Sequence, residues 1–193
     1  MVLTPSTMMP LGTPAPSFEL PDTVSGKTIR LRDLAAKKGM VVMFLCNHCP
    51  YVQHVRDGLV QFGLDYAARD VAVVAISAND PTTHPDDGPE KLGSEAKRLG
   101  YRFSVLFDES QEVAKAYRAA CTPDFFVFDE KRRLVYRGQF DSSRPGTSVP
   151  VTGADLRAAV DALLAGKPVS KEPKPSLGCN IKWRRGNEPN YFG

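Results

Sequence analysis

Hydrophobic positions along this chain change their period several times, and each change marks an element. Ser17-Phe18-Glu19-Leu20 and Thr28-Ile29-Arg30-Leu31 alternate polar with apolar, the period-2 pattern of half-buried strands. Ser25-Gly26-Lys27 lies between them, so a short N-terminal hairpin is predicted. Met40 to Leu45 shows no alternation, which predicts a strand buried on both faces. After Pro50, the residues Val52, Val55, Leu59, Phe62 and Tyr66 recur at three- and four-residue spacing and form one apolar helical face. Pro50 suits the first helical turn, where its missing N–H costs nothing. Gly58 and Gly63 weaken that helix.

Val71 to Ile76 reads as a second buried strand, and Pro89 to Leu99 as a helix ended by Gly100. Phe103 to Phe107 is strand-like, Gln111 to Tyr117 helical, and Asp124 to Phe128 a strong strand. A turn at Asp129 to Arg132 leads into Leu134 to Arg137, which makes a hairpin. Thr152 to Leu164 reads as a closing helix, with Thr152 as N-cap and Gly166 as stop. Arg32 to Lys38 reads as one helical turn, and residues 1–16, rich in Pro, Thr and Met, as an extended lead-in. Alternating strands and helices imply a parallel crossover, and the late hairpin implies an antiparallel edge. The expected class is α/β, a central mixed sheet with helices on both faces.

Composition divides the chain. A length of 193 residues with 42% hydrophobic content suits one domain with a real core, taken as residues 1–165. Residues 166–193 form a basic, Pro-rich tail with six Lys or Arg against two Glu. Leu177, Cys179, Ile181, Trp183, Tyr191 and Phe192 are too many apolar groups for a purely disordered segment, so part of the tail should dock on the body. The net charge of +3 is too small to argue for a nucleic-acid partner. No apolar run approaches a membrane span. The first ten residues lack the basic and apolar regions of a secretory signal, so the expected compartment is the cytoplasm. Thiols stay reduced there, and four cysteines read better as catalytic or metal-binding than as a disulfide framework.

The candidate chemistry lies where the buried strand meets the first long helix, at Cys46-Asn47-His48-Cys49. A thiolate, not a thiol, attacks disulfides. A cysteine at a helix N-terminus meets unpaired N–H groups and the positive end of the helix dipole, and both lower its pKa. The two-residue spacing lets a second thiol resolve a mixed disulfide. Cys46 is the expected attacking thiol and Cys49 the resolving one. His48 adds positive charge close by, and Asn47 and His48 argue against a strongly reducing pair. A zinc half-site is the rival reading, but zinc ribbons show two close cysteine pairs, whereas Cys121 and Cys179 are solitary. No metal and no cofactor are expected. His54 and His84 read as surface residues.

With Cys121-Thr122-Pro123 ahead of a strong strand, the pattern resembles a thioredoxin-like fold. That resemblance implies a cis-proline at Pro123 opposite the cysteine pair, with the Thr122 backbone pairing extended substrates. The N-terminal hairpin, Ala15-Pro16-Ser17-Phe18 and Leu31-Arg32-Asp33-Leu34 are similar to the redoxin branch, which holds peroxiredoxins and TlpA-like thiol-disulfide oxidoreductases. Cys49-Pro50-Tyr51-Val52, Cys121-Thr122-Pro123-Asp124-Phe125-Phe126 and Gly178-Cys179-Asn180-Ile181-Lys182-Trp183 resemble a peroxiredoxin-like subgroup of bacterial redoxins. Leu45 replaces the Trp common before the first cysteine, and Asn47-His48 replaces Gly-Pro, which departs from a general protein reductant.

The expected function is thiol–disulfide exchange, with a thiol peroxidase or a redox-controlled binding protein as alternatives. A peroxidatic cysteine in the resembled branch has Thr or Ser three residues before it. Here that position holds Cys46 or Met43, so the local sequence lacks the hydroxyl that polarises peroxide. Expected partners are a disulfide-containing protein, a small disulfide or a peroxide, with a thiol donor such as thioredoxin or glutathione. Asn47, His48, Thr122 and Pro123 are expected to support the site. Cys121 and Cys179 are candidate additional redox thiols. The tail is expected to bring Cys179 back to the site, to pair with Cys121 or Cys46.

Overall fold

All six residues of Gly39–Phe44 are buried, as their unbroken apolar run predicts. In the computed structural model, which describes residues 3–34 and 37–192, this strand is the centre of the main sheet. The chain begins with β1 (Leu3–Pro5), β2 (Glu19–Pro21) and β3 (Thr28–Arg30), and Gly39–Phe44 is β4. Then come α1 (Pro50–Tyr66), β5 (Val71–Ser77), α2 (Pro89–Leu99), β6 (Ser104–Phe107) and α3 (Glu112–Ala116). The chain ends with β7 (Cys121–Thr122), β8 (Asp124–Asp129), β9 (Leu134–Gly138), α4 (Ala154–Leu164) and β10 (Leu177–Asn180).

The main sheet has the order β6-β5-β4-β8-β9. β4, β5 and β6 run parallel, and β8 and β9 add an antiparallel edge. This is the expected mixed sheet. Successive β4 side chains face opposite sides. Val41 and Met43 enter one core with Val52, Leu59 and Phe62 of α1 and Leu156 of α4. Met40, Val42 and Phe44 enter another with Ala114 of α3 and Tyr117. Gly58 does more than weaken α1. A Cβ there would lie 2.7 Å from Val151 and 2.8 Å from Phe140, so the bare backbone lets the loop before α4 approach the helix.

Several boundaries differ from expectation. The helical turn expected over 32–38 is a 3-10 turn at Leu31–Leu34, and residues 35 and 36 lie outside those described. The N-cap of α4 is Gly153, in the left-handed region at φ 68°, and the Thr152 hydroxyl meets the Ala154 N–H at 3.3 Å from outside the helix. The lead-in is not merely extended. Leu3–Pro5 forms a strand because β10 offers it an edge, with Leu3 opposite Cys179 and Pro5 opposite Leu177.

The tail is therefore part of the fold. β10 is the middle strand of a second sheet, β1-β10-β7. Ile181 and Trp183 are buried in the core that holds Phe18 and Tyr117. Each contributes on the order of 2–3 kcal/mol by burial. A polar relay pins the same region. Ser6 Oγ donates to both Asp124 carboxylate oxygens at 2.9 and 3.0 Å and accepts from Arg137 Nε at 3.0 Å. Asp124 and Arg137 are both buried. Burial pushes the Asp124 carboxyl up to about 7, against the opposing pull of Arg137 and Ser6.

Ser6→Ala removes the hydroxyl that joins these two buried charged groups. Hydrogen bonds to charged groups are worth roughly 1.5–3 kcal/mol, so we expect a loss of about 2 kcal/mol. A lowered urea midpoint with an unchanged slope is the expected result; an unchanged midpoint would mean that the relay carries no stability.

Candidate active site

The last residue of β4 is Phe44, and α1 begins at Pro50, so Cys46-Asn47-His48-Cys49 is the strand-to-helix junction itself. The Leu45 N–H reaches the Ile76 carbonyl at 3.0 Å, which ties the start of this junction to β5. Cys49 is the N-cap of α1, and its carbonyl accepts the Gln53 N–H at 2.9 Å. Across from the pair, the Thr122-Pro123 peptide is cis, as the resemblance implied. Thr122 touches both cysteines. Its Oγ1 lies 3.2 Å from Cys46 Sγ, and its carbonyl oxygen lies 3.2 Å from Cys49 Sγ.

A third cysteine completes the cluster. β10 pairs with β7 so that Cys179 stands opposite Thr122 and Asn180 opposite Cys121. This register sets Cys179 Sγ 2.6 Å from Cys49 Sγ. The expected partners of Cys179 were Cys121 or Cys46; the observed one is Cys49. Cys121 lies one residue before Thr122 on the same strand, so its side chain faces the other way. Its Sγ is 3.8 Å from the Pro123 carbonyl, and burial pushes its thiol well above the usual range.

Cys46, Cys49 and Cys179 are 3%, 0% and 1% exposed, so electrostatics inside the cluster decide which sulfur carries charge. Burial pushes the Cys46 thiol up, helped by its hydrogen bond to Cys49 and by the charge of Asp87. Cys49 shifts the other way. The hydrogen bonds from Cys179 and then Cys46 stabilise its thiolate, and the Val52 and Cys179 backbone N–H groups add to this. The Thr122 carbonyl opposes that charge, but it is one dipole against several donors. Cys179 is pushed up by its hydrogen bond to Cys49 and by burial. The direction of these shifts favours a thiolate at Cys49 over one at Cys46 or Cys179.

The two residues between the cysteines are held by Asp87, which local periodicity did not single out. Its carboxylate accepts the Asn47 N–H at 2.7 Å, the His48 N–H at 3.2 Å and Asn79 Nδ2 at 2.8 Å, and it contacts His48 Nδ1. Asp87 is fully buried. Burial alone would raise its carboxyl, but the His48 and Asn79 hydrogen bonds outweigh it and keep the group below its ordinary value. Asn47 Nδ2 also donates to the Asp86 carbonyl at 2.9 Å. His48 is thus held in a fixed orientation.

Two other histidines differ from expectation. His84 is half-buried and its ring lies 4.5 Å from that of His48. His54 is half-buried and meets Ser143 Oγ at 2.7 Å. Cys46 Sγ, a His48 ring nitrogen and an Asp87 carboxylate oxygen lie within 4.8 Å of one another, a cation grouping by donor type. The Asp87 oxygens also take part in four N–H or ring contacts. Beside Cys46 is a small cavity of about 20 Å³, bordered by Leu45, Val52, Arg56 and Tyr101.

Known proteins place this architecture. An uncharacterized conserved protein from Geobacillus kaustophilus is 51% identical, with a TM-score of 0.93 over 95% of this chain and 97% of that one. A thiol:disulfide interchange protein from Chlorobium tepidum TLS is 22% identical, with a TM-score of 0.61 over 79% of this chain and 97% of that one, a likeness of fold. The thiol-disulfide oxidoreductase ResA of Halalkalibacterium halodurans is 25% identical over 124 residues, 64% of this chain and 65% of that protein. The chain thus spans just under two thirds of the curated relative it matches. The expected thioredoxin-like fold and redoxin kinship are both present. Residues 11–137, which include Cys46, Cys49 and the cis-proline, match the AhpC/TSA family, and the chain belongs to that family.

Proposed function

We propose that the protein is a thiol–disulfide oxidoreductase in which Cys46 attacks and Cys49 resolves. One observation carries this reading: Thr122 contacts both sulfurs at 3.2 Å, so a single residue beside the cis-proline frames the pair. The Cys46 proton passes to Cys49, and the Cys46 thiolate is then supported by the Thr122 hydroxyl. His48, held by Asp87, has a ring nitrogen within 4.8 Å of Cys46 Sγ. Cys46 bonds to one substrate sulfur, and the substrate S–S bond breaks. The departing thiolate takes the proton from Cys49. The Cys49 thiolate then attacks Cys46 Sγ, which leaves a Cys46–Cys49 disulfide and a second released thiolate that takes its proton from solvent. An external thiol donor returns the pair to the dithiol state. The oxidation of the pair balances the reduction of the substrate.

Small disulfides suit this site better than folded proteins. The backbone edge at Thr122, where an extended polypeptide substrate would pair, is taken by β10. The expected cytoplasmic, reducing compartment is consistent with a thiol-driven cycle.

A peroxidase reading draws on a different observation. Thr122 Oγ1 brings to Cys46 the hydroxyl that the adjacent sequence lacks. The cavity beside Cys46 holds about one water-sized molecule. Loss of thiols on exposure to hydroxyethyl disulfide, compared with hydrogen peroxide, separates the two. Faster consumption of the disulfide supports exchange, and faster consumption of peroxide supports the rival. Stoichiometric zinc in the purified protein would argue instead for a structural metal site.

Cys46→Ser and Cys49→Ser should each lower turnover of a small disulfide by at least about 100-fold, because the two thiols act as one unit. Thr122→Val should lower the rate by about tenfold, the equivalent of one hydrogen bond near 1.4 kcal/mol. Full activity in Thr122→Val would remove the hydroxyl from the mechanism.

A thiolate titration at 240 nm reads the charge assignment. A lowered pKa keeps the anion present above that lowered value, so the reduced protein should retain one thiolate at about pH 5, well under the ordinary thiol range near 8.5. Cys49→Ser should abolish that absorbance, and Cys46→Ser should keep part of it because Cys179 still faces Cys49. A single rise near pH 8 to 9 in the intact protein contradicts the assignment.

A further inference from the structure

Three separate features hold Cys179 against Cys49. The first is backbone pairing on both sides of β10, with β7 on one edge and β1 on the other. The second is a set of polar clamps just downstream. Asn79 Oδ1 accepts the Lys182 N–H at 2.8 Å, and the Lys182 carbonyl accepts the Asp80 N–H at 2.8 Å and Gln111 Nε2 at 3.0 Å. Gln111 Oε1 accepts the Arg184 N–H at 2.9 Å. The third is Gly178, where a Cβ would lie 2.1 Å from the Thr122 carbonyl oxygen. That obstacle is backbone and does not yield, so only glycine lets β10 approach Thr122 this closely. A cysteine placed by so many restraints, 2.6 Å from one redox sulfur, is built to react with it.

We propose that Cys179 is a third redox thiol, and that the disulfide formed between Cys46 and Cys49 is passed to Cys49 and Cys179. The proposal rests on the thiol–disulfide reading above. In the transfer, Cys179 Sγ attacks Cys49 Sγ. The Cys49–Cys179 bond forms and the Cys46–Cys49 bond breaks. Cys46 leaves as a thiolate and takes the proton that Cys179 gives up. One disulfide is made and one is lost, so no added oxidant is consumed. Cys46 returns to the thiol state, and the oxidising equivalent now sits on the tail strand. An external dithiol completes the cycle. One of its sulfurs bonds to Cys179 and frees Cys49; its second sulfur closes its own disulfide and frees Cys179. Cys121, facing away, takes no part.

The test is disulfide mapping by mass spectrometry on the full chain, oxidised with hydroxyethyl disulfide and quenched in acid. Wild type should yield both Cys46–Cys49 and Cys49–Cys179 peptides. Cys46→Ser should convert to a Cys49–Cys179 bond in place of a lasting mercaptoethanol adduct. Gly178→Ala should lose at least about tenfold of the Cys49–Cys179 product relative to the Cys46–Cys49 product, the scale of a single strained contact. Cys121→Ala should map like wild type. The proposal is overturned if wild type forms Cys46–Cys49 while Cys179 stays fully alkylatable in wild type and in Cys46→Ser. It is also overturned if Gly178→Ala, folded by circular dichroism, forms Cys49–Cys179 at the wild-type level. A protein that forms Cys49–Cys179 but never Cys46–Cys49 instead contradicts the exchange reading and leaves Cys179 as a redox thiol.

Discussion

Thr122 is the constraint on which the rest of the site depends. Its hydroxyl meets Cys46, its carbonyl meets Cys49, and its backbone pairs with Cys179. Three sulfurs from distant parts of the chain are therefore indexed to one peptide unit. That unit is fixed in turn by β8, which runs from Asp124 into the middle of the main sheet beside β4. β4 carries the cysteine pair at its end. The two walls of the site thus follow on from neighbouring strands of the main sheet, the cysteine pair just after β4 and Thr122 just before β8. A site built on rigid elements in this way holds its groups to tolerances that loops do not reach.

Burial gives the cluster its chemistry. Three thiols in bulk water would titrate alike and share no charge. Removed from water, they become donors and acceptors to one another, alongside nearby backbone N–H groups, and the sulfur with two sulfur neighbours gains most. Cys49 is that sulfur, and it also caps α1, where the N-terminal dipole favours an anion. Asp87 places a negative charge on the Cys46 side, which drives the charge further toward Cys49. The same carboxylate fixes Asn47 and His48, so the segment between the cysteines has a defined shape. Both chain ends take part in this enclosure. The Ser6 bridge between Asp124 and Arg137 secures β1, β1 flanks β10, and β10 seats Cys179.

Much of this was legible in the sequence. The unbroken apolar run ending at Leu45 announced a two-face-buried strand, and the spacing of Val52, Val55, Leu59 and Phe62 announced the helix after it. The cysteine pair fell at their junction for that reason. Thr122-Pro123 was recognisable through its place before a strong strand. Ile181 and Trp183 were among the tail's apolar and aromatic groups, too many for a disordered segment, and so signalled docking. What stayed hidden depends on long-range register. Asp87 sits in a polar loop, where an acidic residue is commonplace until the fold turns it inward. Leu3–Pro5 became a strand only because β10 supplied a partner. The choice of Cys49 over Cys46 or Cys121 as the neighbour of Cys179 turns on one residue of register, since adjacent positions on a strand face opposite ways. Gly178 carries no local sign of its role; its reason is the Thr122 carbonyl, far away in sequence.

The central claim is that the enclosed cluster stabilises the reduced pair through hydrogen bonds to a Cys49 thiolate. Stabilising the reduced form raises a dithiol's reduction potential. The direct test is the potential of the redox couple in the intact chain, set against buffers of known poise. We expect the potential to become more negative in Cys179→Ala by at least about 30 mV, the equivalent of about 1.4 kcal/mol, because that variant loses one hydrogen bond to the reduced pair. A potential unchanged in Cys179→Ala would contradict the account.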